Sequence, residues 1–162
     1  MGEMRPLCLD PGVHMGFAYY NGEETYDCVY FDQESRPAKL DFFTKWLTWA
    51  IKEKYAPTHV FIEEPFAGGK DAHVEHWLHG MFSVVELICW RLKVPFHPVS
   101  NIDIKKYATG NGRAKKPLVM ARVNEARPGR AITNHNIADA VALLDLVREV
   151  NRLGEDSFQL IG

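Results

Sequence analysis

Two short apolar runs each end on a carboxylate: Leu7-Cys-Leu9 leads into Asp10, and Val60-Phe-Ile62 leads into Glu63. Both read as buried strands, and an acid beside such a run is costly to desolvate unless something compensates it. The intervening sequence narrows the fold further. Gly16 to Tyr20 followed by Asn21-Gly22 reads as a second strand and a hairpin turn, with Tyr26 to Phe31 as its partner. Leu40 to Tyr55 carries Phe43, Trp46, Leu47, Ala50 and Ile51 at the spacing of an amphipathic helix, and His59 to Glu63 follows as the fourth strand.

Beyond it the pattern predicts a long helix over Ala72 to Leu92, a short strand over Val94 to Pro98, and short helices over Asn101 to Tyr107 and Pro117 to Glu125. Thr109 to Ala114 is a glycine-rich loop, and a final helix runs from about Asn134 to Leu153. An antiparallel ribbon followed by crossover helices predicts an α/β fold with a mixed five-stranded sheet, its first three strands antiparallel and its faces flanked by helices. The chain has 162 residues, no repeat and no long linker, and reads as one domain over 1–162.

Composition excludes several classes. With 46% hydrophobic and 25% charged residues, wholesale disorder is ruled out. Cys8, Cys28 and Cys89 form no CxxC pair, which argues against a disulfide framework or zinc ribbon and for a reducing compartment. Met81 to Trp90 is interrupted by Ser83 and Glu86 and is too short for a membrane span. The N-terminal residues show no signal pattern, so the expectation is a soluble cytoplasmic protein without membrane association. The net charge is −2, yet between Ser100 and Arg130 eight basic residues face only Asp103 and Glu125. One basic face can bind phosphates even when the whole is acidic; the alternative is a solvated cationic surface.

A third acid, Asp139, sits between Ala138 and Ala140 near the start of the last helix. Singly, these acids have plainer readings: Asp10 can fix the Pro11-Gly12 turn, and Asp139 can complement a helix dipole. Together, Asp10, Glu63 and Asp139 are reconciled by convergence on divalent cations, and an oxygen-only site favours Mg²⁺ or Mn²⁺. Glu64 falls on the opposite face. His73, His76 and His79 are spread around their helix with no cysteine nearby, which suits a polar or DNA-facing surface better than zinc. Met81 to Trp90 is either a dimer contact or, the preferred reading, buried against the sheet.

Four motifs resemble a known family. Leu9-Asp-Pro-Gly-Val-His-Met-Gly-Phe-Ala18 is similar to the first-strand motif of RuvC-type Holliday junction resolvases, within the RNase H-like superfamily. Phe61-Ile-Glu-Glu-Pro-Phe66 resembles the second motif, Ile104 to Lys116 the region with Val-Lys, Gly-x-Gly and a closing Lys, and Asn136-Ile-Ala-Asp-Ala140 the last-helix motif. They occur in the family's order and cover nearly the whole chain.

The resemblance implies an RNase H-like fold and a homodimeric endonuclease cutting four-way DNA junctions, with two Mg²⁺ ions per active site (Mn²⁺ substituting) and no nucleotide cofactor. It makes Asp10, Glu63 and Asp139 metal-binding carboxylates. Lys105 and Lys116 fall on basic positions that contact the cleaved strand or support the reaction. Phe66 falls on an aromatic that stacks on an unpaired base, unless it is a core residue. Where the family has Asp or His three residues before the last acid, this chain has Asn136, with His135 one step earlier. Both share the face of Asp139; His135 is ahead on ligand chemistry and Asn136 on register. Lys106, Arg113 and Lys115 complete the expected DNA-binding set. The alternatives are a flap or branched-DNA debranching nuclease and a junction-binding protein with weakened chemistry. An RNase H-type enzyme is a third, for which nothing in the sequence speaks. The host is a bacterial cell or a phage-infected one.

Overall fold

Strand parity lays out the molecule. Along β1 (Pro6–Asp10), Leu7 and Leu9 face one side of the sheet while Cys8 and Asp10 face the other; along β4 (His59–Glu63), Val60 and Ile62 oppose Phe61 and Glu63 in the same way. This computed structural model describes residues 3–66, 68–69 and 71–154. Residues 1–2 and 155–162 of the expected 1–162 domain, with Ala67 and Lys70, lie outside the described residues.

The sheet order is β3-β2-β1-β4-β5, with β2 spanning Met15–Tyr20, β3 Glu24–Val29 and β5 Phe96–Val99. β1, β2 and β3 pair antiparallel, whereas β4 pairs parallel with both β1 and β5. One face packs on α1 (Arg36–Trp49) and α2 (Ala72–Leu92), burying Leu7, Leu9, Val60 and Ile62 against Phe43, Leu47, Met81 and Val85. The other packs on α3 (Asn101–Thr109), α4 (Lys116–Glu125) and α5 (His135–Leu153), burying Cys8, Ala18 and Phe61 under Val141 and Leu144. Each fully buried Leu or Phe contributes roughly 1.5–3 kcal/mol. No helix among the described residues is long and apolar enough to cross a membrane.

Of the boundaries that differ from the sequence reading, two have identifiable reasons. The first helix begins at Arg36 rather than Leu40, because the Ser35 hydroxyl accepts the Ala38 N–H and Pro37 occupies the first turn. It continues as a π-helical turn over Ala50–Lys54. β3 stops at Val29, before Phe31, whose N–H is taken by His14 Nδ1 at 3.1 Å. Along α2, Met81, Val85, Ile88 and Cys89 are buried as expected, but Trp90 remains 76% exposed.

The basic stretch is less uniform than its sequence suggests. Arg127 is buried, donating to Asp145 and Glu24, and Arg148 joins the same cluster and lies over the Tyr20 ring. Arg122 pairs with Glu125. These arginines line a cleft of about 920 Å³ at the end of the sheet opposite Asp10, with their guanidinium groups already engaged.

Candidate active site

The parallel pairing of β1 and β4 sets Leu9 opposite Ile62, so Asp10 and Glu63 end neighbouring strands on the same face of the sheet. That face is covered by α5. Its approach depends on Gly16, the β2 residue opposite Asp10: a β-carbon there would lie 1.9 Å from the Asn136 carbonyl oxygen. The first turn of α5 therefore rests on bare backbone, which brings Asp139 over the strand ends. Asp10, Glu63 and Asp139 line one pocket of about 400 Å³, together with Asn136, Asn101, Lys105 and Lys116.

Asp10 and Asp139 are buried, 6% and 9% exposed. Burial, then the charges of Glu63 and Asp139, push the Asp10 carboxyl well above the ordinary aspartate value, with Lys116 pulling the other way. Burial also raises Asp139, against the pull of Lys116, whose Nζ is 3.6 Å from Asp139 Oδ2. Glu63 accepts a hydrogen bond on Oε1 from Asn101 Nδ2 at 2.5 Å, its buried Oε2 receives no N–H donor among the described residues, and its carboxyl is within hydrogen-bonding reach of Asp10. Crowded acids and a carboxylate oxygen with no N–H donor suit a divalent cation. Among the described residues, no three His, Cys, Asp or Glu side chains are arranged to hold one metal ion by themselves. That still accords with Mg²⁺, which commonly takes one or two carboxylates and completes its shell with water and substrate phosphates.

The remaining expected residues divide. Lys105 and Lys116 line the pocket; Lys106, Arg113 and Lys115 are exposed outside its lining. Of the two residues considered as a fourth ligand, Asn136 lines the pocket, whereas His135 is exposed and does not. The pocket lining thus supports Asn136, the residue in register, over His135, the better ligand by chemistry. Phe66 is 74% exposed at the pocket, which overturns its reading as a core residue. Along α2, His73 and His79 are exposed.

Three contributors escaped the sequence reading. Asn101 follows Ser100 at the start of α3 and looks like capping chemistry. His14 lines the pocket, its Nδ1 engaged by Phe31. Trp77 Nε1 donates to the Gly12 carbonyl at 2.7 Å, tying α2 to the turn after Asp10. On the loop beyond Phe66, the Gly68 and Gly69 N–H groups both donate to Glu75 Oε1.

No family model matches this chain. The crossover junction endodeoxyribonuclease RuvC of Brachyspira hyodysenteriae is 29% identical over 161 residues, spanning 94% of this chain and 99% of its own. A Thermus thermophilus RuvC structure matches with a TM-score of 0.71 at 20% identity, over 93% of this chain and 96% of its own. The chain is RuvC-like in sequence and in fold. T. thermophilus RuvC in complex with Holliday junction substrate matches this RuvC-like chain at a TM-score of 0.71 and 19% identity, covering 86% and 90% of the two chains. The yeast mitochondrial Holliday junction resolvase Ydc2 matches more distantly, at a TM-score of 0.57 and 12% identity, over 98% of this chain and 85% of its own. The fold is RNase H-like, with the mixed five-stranded sheet and the three antiparallel first strands expected from the sequence.

Proposed function

We propose that this RuvC-like chain is a structure-selective endonuclease that resolves four-way DNA junctions, with Asp10, Glu63 and Asp139 holding two Mg²⁺ ions that Mn²⁺ can replace. One observation carries the reading: two neighbouring strand ends and one helix bring Asp10, Glu63 and Asp139, two of them buried, to a single pocket with two lysines, whose lining also includes the exposed Glu64, expected on the opposite face. When bound, the cations supply Lewis-acid activation of a water nucleophile and of the leaving 3′ oxygen. The chain's own residues do the rest. Oε2 of Glu63 and the carboxylate of Asp10 present oxygen ligands, and the Asn136 amide oxygen adds a neutral one that suits a hard cation. Lys116, paired with Asp139, is placed to offset charge developing on the phosphate, with Lys105 beside it.

Phe66, exposed at the pocket, offers a stacking face to an unpaired base at the branch point. Lys106, Arg113 and Lys115 supply backbone phosphate contacts, which position the duplex without reading sequence. Symmetric cutting of a junction calls for two active sites, hence a homodimer, working in the cytoplasm of a bacterial or phage-infected cell. Replacing Lys115 and Lys116 together with Ala is expected to weaken junction binding. The slope of log affinity against log salt should shrink by about 1 for each phosphate no longer neutralised. An unchanged slope, measured by fluorescence anisotropy across a salt series, removes these lysines from the DNA surface.

The deciding experiment incubates purified protein with a synthetic mobile four-way junction and, in parallel, a flap, each with Mg²⁺, Mn²⁺ or EDTA. Paired symmetric nicks in the junction with either metal, and none in EDTA, are expected. Preferred cutting of the flap favours a debranching nuclease instead. Asn136, where the family carries Asp or His, favours a second reading, a junction-binding protein with weakened chemistry; tight binding without metal-dependent cleavage supports it.

A further inference from the structure

We infer that Asn101 is a positioning residue that holds Glu63 to one-oxygen ligation and so biases the site toward small divalent cations over large ones; this rests on the metal-holding role proposed for Glu63. The placement of Asn101 is tightly determined. Glu63 pairs with Val99 across β4 and β5, and the Glu64 N–H donates to the Val99 carbonyl at 2.9 Å, so Asn101 lies only two residues beyond the partner of Glu63. Ser100 already caps α3 through its hydroxyl, which accepts the Ile102 N–H. The Asn101 side chain is therefore released from capping and turned to the pocket, with Lys105 one turn along the same helix face.

The amide divides the two oxygens of Glu63. Nδ2 donates to Oε1 at 2.5 Å, while buried Oε2 receives no N–H donor among the described residues and the Glu63 carboxyl lies within hydrogen-bonding reach of Asp10. Only the amide nitrogen can face a carboxylate favourably, so the orientation of Asn101 follows from chemistry. With Oε1 occupied and the rotamer held, Oε2 is the oxygen offered to a cation. Mg²⁺ demands near-octahedral geometry at short range, which single-oxygen ligands satisfy; Ca²⁺ takes more ligands at longer range and often uses both oxygens of one carboxylate. Removing the Asn101 donor frees Oε1 and makes two-oxygen ligation available.

The test is made on the full chain without DNA. Free Mn²⁺ is counted by electron paramagnetic resonance during titration of wild type, Asn101→Ala, Asn101→Leu and Asp10→Asn, and Mg²⁺ and Ca²⁺ are then added as competitors. Loss of an outer hydrogen-bond partner typically costs about 10–100-fold in metal affinity. Both Asn101 variants are expected to lose Mn²⁺ and Mg²⁺ affinity in that range and Ca²⁺ affinity by much less. The Mg²⁺-to-Ca²⁺ preference then falls about tenfold or more. Asn101→Leu keeps volume at the site, so agreement between the two variants separates hydrogen bonding from packing. Equal losses for all three cations, or wild-type affinities, overturn the role of Asn101 while leaving the metal site standing. Mn²⁺ binding that survives Asp10→Asn unchanged places the ion elsewhere, and the reading of the pocket fails together with the inference.

Discussion

Asp10→Asn is expected to cut junction cleavage by about 10³-fold or more while leaving junction binding near wild type. The size follows from removing an anionic metal ligand from a buried position, where electrostatic contributions to the transition state are large. Binding persists because the basic residues on α3, α4 and the loop between them are untouched. The same substitution should stabilise the metal-free protein. Asp10 and Asp139 are both raised, by burial above all, so the folded chain holds their protons to higher pH than the unfolded chain does. The stability they contribute is fully present below the ordinary aspartate pKa, near pH ~4, and is lost as pH rises through the raised folded values. In EDTA, Asp10→Asn should therefore melt above wild type at pH 7, with the gap closing toward pH 4. Added Mg²⁺ should raise the wild-type melting temperature more than that of the variant. Undiminished cutting with Mg²⁺ refutes the metal site, and superimposable melting curves from pH 4 to 7 refute the crowding of the acids.

Gly16→Ala is expected to destabilise the fold by about 3 kcal/mol, at the upper end of ordinary overpacking. That corresponds to a melting temperature roughly 6–12 °C lower. The added methyl would meet the Asn136 carbonyl oxygen and carbon and the Ile137 nitrogen, all of them backbone atoms that cannot rotate away. Relief requires α5 to lift from β2, which carries Asp139 away from Asp10. Activity should fall further than stability alone accounts for, and cleavage assayed well below the melting temperature should expose the difference. A variant that melts and cuts like wild type would show that the helix seats elsewhere.

The three acids are legible because each stands at the edge of an apolar segment, where a charge needs a partner, and strand parity then sends Asp10 and Glu63 to the same face. What stays hidden depends on contacts between distant segments. Helical periodicity leaves both His135 and Asn136 on the face of Asp139; only the folded pocket, which Asn136 lines, separates them. Arg127 reads as one more surface cation until β3 and α5 supply Glu24 and Asp145, the first of them 103 residues away. Asn101 acquires its partner only when β5 pairs with β4. Gly16 is legible as part of the first-strand motif running from Leu9 to Ala18, but its steric reason needs the helix above it.

The last helix is clamped at both ends, by the Gly16 seat at its start and by the Arg127, Asp145, Glu24 and Arg148 cluster toward its finish. Lys105 and Lys116 ride on two short helices joined by a glycine-rich loop. Those helices in turn bury Ile104, Val119 and Val123 against α5. Loosening either anchor of α5 would therefore shift Asp139 relative to Asp10 and Glu63, and the cationic helices with it.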